Sequence, residues 1–136
     1  MDFLKSIAIA ASGLRAQAGR MRIISENIAN ADSTAYSAGA EPYRRRMTTF
    51  KSEMDRALDA QIVALGGIKT DPSEFRVKHQ PGHPAADING NVKYPNVNSL
   101  VEMTDLREAQ RSYEANINVI SASRRMIQRT IEILKS

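Results

Sequence analysis

The sequence predicts a mainly α protein with a small β-rich insert. We expect long N- and C-terminal helices forming an antiparallel coiled-coil pair, and a middle segment of short strands and turns. Residues 99–135 contain neither Gly nor Pro, and apolar residues recur at heptad spacing both there and over residues 3–28. Turn-forming Gly, Pro and Asn residues lie between these stretches. The expected organisation is an N-terminal core helix (1–30), a β-rich middle segment (31–98) and a C-terminal core helix (99–136).

The N-terminal helix is predicted from alternating steps of three and four between apolar positions, with Asp2 as its cap. These positions are Phe3, Ile7, Ala10, Leu14, Met21, Ile24 and Ile28, and Gln17 is the one polar member of the series. A second stripe of Ile9, Ala16 and Ile23 points away from that line. A simple helix pair would leave the second stripe wet, so it predicts a further neighbour.

The C-terminal helix is predicted from the same kind of apolar pattern and would be about 55 Å long. With Met103 at heptad position a, every d position is apolar or aromatic, which is typical of a coiled-coil seam. The d series is Leu106, Tyr113, Ile120, Ile127 and Leu134, and the apolar a positions are Met103, Ile117 and Ile131. Ser99 followed by Glu102 predicts a capping box. The stripe of Val119, Met126 and Ile133 lies off the seam and predicts contacts beyond one partner helix.

The middle segment has the composition of strands separated by turns. Strands are predicted over 43–50, 61–69, 75–79 and 92–94, with a bulge or turn at Gly66–Gly67 and a short helix over 52–60. Turns are predicted at 71–72, 81–84 and 87–90. Because the insert joins the end of one long helix to the start of the other, the simplest pairing of the helices is antiparallel.

Composition narrows the function. The chain has a net charge of +4. It contains no Cys, and this absence excludes disulfides, thiolate metal sites and a thiol nucleophile. No apolar run reaches the ~20 residues of a membrane span, and the N-terminal apolar run is too short for a signal peptide. We therefore expect no direct membrane span, and any export to use no cleaved signal.

Candidate chemical groups are few. His79 and His83 are separated by Pro81 and Gly82, which removes the helical geometry of a two-histidine metal site. The Asp87–Gly90 segment fits a hairpin turn better than a calcium loop, because its Gly is in the fourth position. We expect no metal, no cofactor and no enzymatic activity. The basic run Arg44–Arg46 leaves open a second class of function, a coiled-coil module that binds nucleic acid or an anionic surface.

Two segments are more specific than periodicity. Asn27–Ile28–Ala29–Asn30 followed by Tyr36 resembles the signature of bacterial flagellar rod and hook subunits, and the stretch from residue 81 to 116 resembles the proximal rod proteins of the flagellar basal body. The residues that carry the resemblance are Asn27, Ala29, Asn30, Tyr36, Pro81, Gly82, His83, Pro84, Asp87, Tyr94, Pro95, Asn98, Glu102, Met103, Tyr113, Glu114 and Asn116.

The resemblance implies a structural subunit of the proximal rod. Such subunits polymerise through their terminal helices into the axial drive shaft, which transmits torque and encloses the export channel. Implied partners are copies of the chain, other flagellar rod proteins, the membrane ring and rod-adaptor proteins at the rod base, and the flagellar type III export apparatus. The implied location is the rod of the basal body within the periplasm. Phe50 and Met54 also resemble an export-gate motif, and no nucleic acid partner is implied.

Overall fold

The computed structural model describes residues 2–136, with a long helix at each end and four strands between. The elements are α1 (Phe3–Ala29), β1 (Arg46–Asp55), β2 (Ala60–Thr70), β3 (Arg76–His79), β4 (Asn91–Tyr94) and α2 (Ser99–Lys135). The strands form two separate two-stranded sheets, β1 with β2 and β3 with β4. This arrangement confirms the predicted mainly α fold with a small β insert.

The N-terminal helix begins where the sequence predicts. The Oδ1 atom of Asp2 accepts hydrogen bonds from the backbone N–H groups of Leu4 (3.0 Å) and Lys5 (3.2 Å). The first backbone N–H groups of a helix have no carbonyl partner within it, so the Asp2 carboxylate satisfies two of them. The predicted cap at Asp2 is confirmed.

The start of α2 uses a different cap from the predicted one. The Oδ1 atom of Asn98 accepts from the N–H groups of Leu100 (3.1 Å) and Val101 (3.4 Å). The predicted capping box of Ser99 and Glu102 is therefore wrong. Asn is among the strongest capping residues, and here it precedes the Ser.

The first sheet is longer and more regular than predicted. The predicted helix over 52–60 is wrong, because residues 52–55 belong to β1 and residues 56–59 form the turn to β2. Asp55 Oδ1 closes that turn by accepting from the N–H groups of Ala57 (2.9 Å) and Leu58 (3.3 Å). Strand β2 also runs through Gly66–Gly67, where a bulge or turn is predicted.

The second sheet matches the prediction to within one residue at each end. Strands β3 and β4 are antiparallel, with Arg76 opposite Tyr94 and His79 opposite Asn91. The turns predicted between them are present, and Asp87 Oδ1 accepts from the N–H groups of Asn89 (2.8 Å) and Asn91 (2.9 Å). This side-chain-to-backbone pattern is the usual reason for Asp in a turn.

The chain divides into two compact units. The first contains the described residues of Met1–Met21 together with Thr49–Gly67 and Arg107–Ser136, and the second contains Arg22–Thr48 and Ile68–Leu106. Each helix and each strand of the first sheet contributes residues to both units.

Small side chains form the interior of the first unit. Its buried residues include Ala10, Ser12, Ala16, Ala109 and Ser123. A Cβ atom added to Gly13 would lie 2.8 Å from Asn116 Nδ2, and one added to Gly19 would collide with the Leu65 side chain. A side chain at either place would therefore require the Asn116 or Leu65 side chain to move. The first sheet is attached to α1 by the N–H group of Val63, which donates to Ser12 Oγ at 3.1 Å.

The second unit has a more conventional apolar interior. Its buried apolar residues include Ile23, Ile24, Ala31, Val92, Tyr94 and Val97. Arg76 ties its segments together, since Nη2 donates to the carbonyl of Ala31 (2.9 Å) and Nε to that of Pro95 (3.0 Å). The second sheet therefore supplies a small core around β4.

Two valines of the second sheet provide a matched test of this core. Val92 is 0% exposed and Val77 is 58% exposed. We expect Val92→Ala to lower the free energy of unfolding by about 2 kcal/mol, because it removes two buried carbons and leaves a cavity. Val77→Ala should change it by less than about 0.5 kcal/mol. Urea unfolding followed by circular dichroism measures both, and equal effects would contradict the assigned core.

Candidate assembly surfaces

Asn27 is the centre of a buried polar network in the second unit. Its Oδ1 atom accepts from the Tyr43 hydroxyl (2.7 Å) and the Arg46 backbone N–H (3.0 Å). Its Nδ2 atom donates to the Arg46 carbonyl (2.8 Å) and to Glu102 Oε2 (3.1 Å). A carboxamide has two donor hydrogens and two acceptor lone pairs, so every one of these is used. Burial raises the pKa of Tyr43, which keeps its hydroxyl protonated as a donor.

Glu102 is the buried charge of this network, with 1% of its side chain exposed. Arg45 Nε donates to Glu102 Oε1, and Arg45 Nη1 lies 3.4 Å from Asp71 Oδ2. Burial alone would lower the pKa of Arg45, but the hydrogen bond and charge of Glu102, with those of Asp71, raise it overall. The buried carboxylate is thus compensated by a charged donor and an amide donor, as buried charges require.

Asp71 extends the network to a loop. The pKa of the Asp71 carboxyl group is lowered, mainly because it accepts hydrogen bonds from Ser73, including one from the backbone N–H at 2.9 Å. Burial acts in the opposite direction but is weaker, and Arg45 lowers the pKa further. The Asn96 side chain donates to the Asp71 carbonyl (3.1 Å) and accepts from the Arg45 backbone N–H (2.8 Å). These contacts fix the segment that leads into β1.

The three arginines of the basic run at residues 44–46 bind to groups of the chain itself. Arg44 Nη1 donates to the carbonyls of Asp71 (3.0 Å) and Ser73 (3.1 Å), and its guanidinium lies 4.2 Å from the centre of the Phe75 ring. Arg46 Nη1 lies 3.5 Å from Glu26 Oε2. With Arg45 held by Glu102, each of the three guanidinium groups has a partner within the chain. The proposed grip on nucleic acid or an anionic surface gains no support from this geometry.

The two histidines also have structural partners. His83 Nε2 lies 3.3 Å from Thr34 Oγ1, and its Nδ1 accepts from the Ala85 N–H at 3.0 Å. His79 Nδ1 lies 3.3 Å from Asn91 Oδ1. Across residues 2–136, no three His, Cys, Asp or Glu side chains are grouped as a metal site requires.

The burial pattern of α2 differs from the predicted seam. The d positions Leu106, Tyr113, Ile120 and Ile127 are partly buried, whereas Leu134 is exposed. The apolar a positions are exposed instead, and the most buried residues step by seven along another line. That buried line is Glu102, Ala109, Asn116 and Ser123, with Asn116 partly buried. The apolar a positions and Leu134 therefore face away from the chain's own interior.

Exposed apolar residues of α2 form two lines in the first unit. One line is Val119, Met126 and Ile133, and the other is Ile117 and Ile131. We call these flank 1 and flank 2. Residues of the Val119 line were predicted to lie off the seam, and all three are 47% exposed or more.

The predicted positions of α1 divide between inside and outside. Ile23 and Ile24 are buried, Ile9 is exposed, and Ile7, Leu14, Met21 and Ile28 are partly buried. The expectation that the whole second stripe of α1 lacks partners is wrong at Ala16 and Ile23, which are both 3% exposed. Among the described residues, the C-terminal helix therefore has many more exposed large apolar side chains than α1.

The residues that carry the family resemblance fall into three groups. Four are buried: Asn27, Tyr94, Pro95 and Glu102. Four are partly buried: Asn30, His83, Tyr113 and Asn116. The exposed ones are Ala29, Tyr36, Pro81, Gly82, Pro84, Asp87, Asn98, Met103 and Glu114. The sequence alone did not predict that Tyr43, Arg45 and Asp71 belong to the buried polar network. The one sequence feature that indicates it is the arginine run at residues 44–46, which needs acidic partners elsewhere in the chain.

Known proteins resemble this chain over its full length. A FlgC flagellar basal-body rod protein of Agrobacterium fabrum is 51% identical, with 100% of this chain and 99% of the relative covered. Relatives of the same name from Bacillus subtilis and Salmonella typhimurium are 37% and 34% identical over at least 98% of each chain. This chain belongs to the FlgC family of flagellar basal-body rod proteins.

Two family models locate the resemblance within the chain. Residues 7–36 match the model described as flagella basal body rod protein, and residues 88–133 match that of the flagellar basal body rod FlgEFG protein C-terminal region. Members of the FlgC family are structural rod subunits and not enzymes, so this chain is a structural rod subunit. The expectation of no enzymatic activity is confirmed by the family, and the nucleic-acid alternative gains no support from it.

The Glu102 network can be tested against a surface ion pair on the same helix. Removing Arg45 leaves the buried Glu102 carboxylate without its charged partner, so Arg45→Ala should cost about 3 kcal/mol of stability. Glu108→Ala removes an exposed pair with Arg20 (3.6 Å) and should cost less than about 1 kcal/mol. Equal losses in denaturant unfolding would show that the network contributes no more than a surface contact.

Asp71 should make stability depend on acid. Its pKa in the folded chain is lowered below the unfolded value of about 3.9, so the folded state binds the proton less tightly. Its contribution is therefore complete above that unfolded pKa and is lost as the pH falls through the folded pKa. Asp71→Asn should flatten the decline of stability below about pH 4. Denaturant midpoints over this range measure the effect, and parallel curves for the two proteins would refute it.

Proposed function

We propose that this subunit polymerises through its terminal helices into the axial shaft of the proximal rod, which transmits torque and encloses the export channel. The observation that supports this proposal is the pair of exposed apolar flanks on α2. A single chain leaves both flanks in water. Apolar side chains gain roughly 25 cal/mol for every Å² of surface that a neighbour covers, so both flanks favour association.

We further propose that α1 and α2 form an antiparallel coiled-coil pair within each subunit. In the first unit Gly13 lies against Asn116, and Arg20 pairs with Glu108. As the residue number rises along α1, its partner on α2 moves to lower numbers, which supports an antiparallel direction. The small residues at this contact favour a short distance between the helix axes.

The flanks lie on opposite sides of the buried line of α2. Successive residues of an α-helix are about 100° apart, which places each flank roughly a quarter turn from Ala109 and Ser123. Flank 1 and flank 2 therefore face two different neighbours. A contact that joins unlike surfaces of identical subunits and repeats by rotation and rise builds a tube.

Other parts of the proposal follow from the family. We propose that the subunit also contacts other rod proteins, the membrane ring and rod-adaptor proteins, and that the type III export apparatus delivers it to the periplasm without a cleaved signal. Phe50 and Met54 lie four residues apart on β1, so they share one face, and both are exposed. That placement is compatible with an export-gate role. Neither described helix is both long and apolar enough to cross a membrane.

Different segments of the chain are assigned to different parts of the rod in the same proposal. We propose that residues 1–30 and 99–136 form the inner core of the tube, and that residues 31–98 lie further out. The roles of the predicted helix positions in packing and assembly depend on this division. The polar network of Asn27 and Glu102 in the second unit would then hold the outer segment to the ends of the core helices.

A lysine on flank 1 tests assembly separately from folding. Met126 is 48% exposed, so Met126→Lys should leave the stability of the free subunit unchanged. In the rod the charge would be buried without a partner, which costs several kcal/mol at every subunit. We expect soluble protein that fails to enter the rod and cells that are non-motile.

Two variants control this experiment. Glu132→Gln changes an exposed residue on the same helix and should leave motility normal. Ile23→Lys should instead destabilise the subunit's own fold, because Ile23 is already buried. Normal motility of Met126→Lys would show that flank 1 faces water and would remove the support for polymerisation through it.

The direct test of the rod function is fractionation. Basal bodies purified from cells that express a tagged copy should contain the subunit in a stoichiometric amount, and cells that lack it should form no filament. Absence of the tagged subunit from intact basal bodies of motile cells would contradict the proposed function.

A further inference from the structure

The C-terminal end of α2 extends beyond its contact with α1. Phe3, the first residue of α1, lines the same open cleft as Ile127. Helix α2 continues from Ile127 to Lys135, which adds about 12 Å. Every residue from 128 to 136 is exposed, and the apolar ones are Ile131, Ile133 and Leu134. We call residues 128–135 the α2 overhang.

The overhang and the turn of α2 before it carry a shallow groove with a basic rim. Its lining residues are Arg124, Ile127, Gln128, Ile131, Glu132 and Lys135. Ile127 and Ile131 form an apolar floor, since residues four apart lie on one face of a helix. Arg124 and Lys135 give the rim two positive charges against the single negative charge of Glu132. An occupant should therefore be apolar with acidic neighbours.

The turn between β1 and β2 has this composition. Asp55 and Asp59 flank it, with Arg56 as the only basic residue from 52 to 59. Met54, the last apolar residue of β1, is exposed beside the turn. Asp55 Oδ1 holds the turn closed, so the acidic tip is preformed and loses little conformational freedom on binding.

Tip and overhang lie at the same end of the first unit. Lys5 Nζ donates to the Asp59 carbonyl at 3.3 Å, which places the tip beside the first turn of α1. Phe3 and Ile127 place the start of the overhang beside that same turn. A subunit related to its neighbour by rotation about a common axis therefore brings the tip of one copy to the level of the overhang of the next.

We infer that the acidic β1–β2 tip of one copy docks into the α2 overhang groove of a second copy. The inference rests on the proposed function, and it specifies one lateral contact of the rod. Opposite charge at the rim sets the register, and burial of Ile127 and Ile131 supplies the attraction. This contact joins unlike surfaces, so it repeats around the axis without closing on a single pair.

Cysteine cross-linking tests this contact cleanly, because the sequence contains no cysteine. Two differently tagged copies are expressed together, one with Ala57→Cys at the tip and the other with Gln128→Cys in the groove. Basal bodies are purified and treated with a short bismaleimide. Because each copy has one cysteine, a product that carries both tags is a link between two subunits.

The matched control moves the groove cysteine by one residue. Arg129→Cys lies about 100° further around the helix, away from the groove. We expect the doubly tagged product with Gln128→Cys and at least a several-fold lower yield with Arg129→Cys. In the Gln128→Cys background, Arg124→Glu should lower the yield several-fold, whereas Arg124→Lys should maintain it.

The outcomes separate this inference from the rod function. If both tagged copies are present in basal bodies but no doubly tagged product forms, the docking inference is overturned and the rod function stands. Equal yields with Gln128→Cys and Arg129→Cys, or a product joined to a different rod protein only, would also overturn it. Absence of both copies from basal bodies would contradict the proposed function instead.

Discussion

The close approach of α1 and α2 is the constraint on which the first unit depends. A Cβ atom at Gly13 would have to displace the Asn116 side chain, and the buried residues of this unit include alanines and serines. Such a contact is geometrically specific but covers little apolar surface. Since hydrophobic stabilisation scales with the area covered, the helix pair gains only part of the stability that its length could supply.

The close approach of the helices leaves many apolar residues of α2 exposed. Flank 1 and flank 2 stay in water in a single chain, although they contain Val119, Met126 and three of the five isoleucines of the helix. Long helices depend on tertiary packing for most of their stability, so we expect the ends of this chain to become fully ordered only when neighbours cover both flanks. Folding of the terminal helices and growth of the rod would then be one process.

The second unit is organised on a different principle. Asn27, Arg45 and Glu102 form a polar network in which the buried groups have partners of matching chemistry. Networks of this kind add less net stability than an apolar core, but an unpaired member is costly, so they favour one arrangement of the backbone. Here the arrangement connects the C-terminal turn of α1, the start of β1 and the first turn of α2.

The sequence predicts helices and turns well because their signals are local. The bounds of α2, the cap at Asp2 and the second sheet follow from periodicity, capping and turn chemistry within short windows. The register of the α2 seam is not predictable in this way, since the interior of the chain selects Ala109 and Ser123 for their small size while apolar Ile117 is left outside. Arg45 is missed for a similar reason, because its partner Glu102 is distant in sequence and its neighbours suggest a solvated basic run.

The proposed rod function depends above all on neighbouring subunits covering the apolar flanks of α2. Hydroxyl-radical footprinting of the free subunit and of purified basal bodies measures this directly, with Met126 as the most reactive side chain of flank 1. We expect strong labelling of Met126 in the free subunit and a several-fold decrease in the assembled rod. Equal labelling of Met126 in the two samples would contradict it.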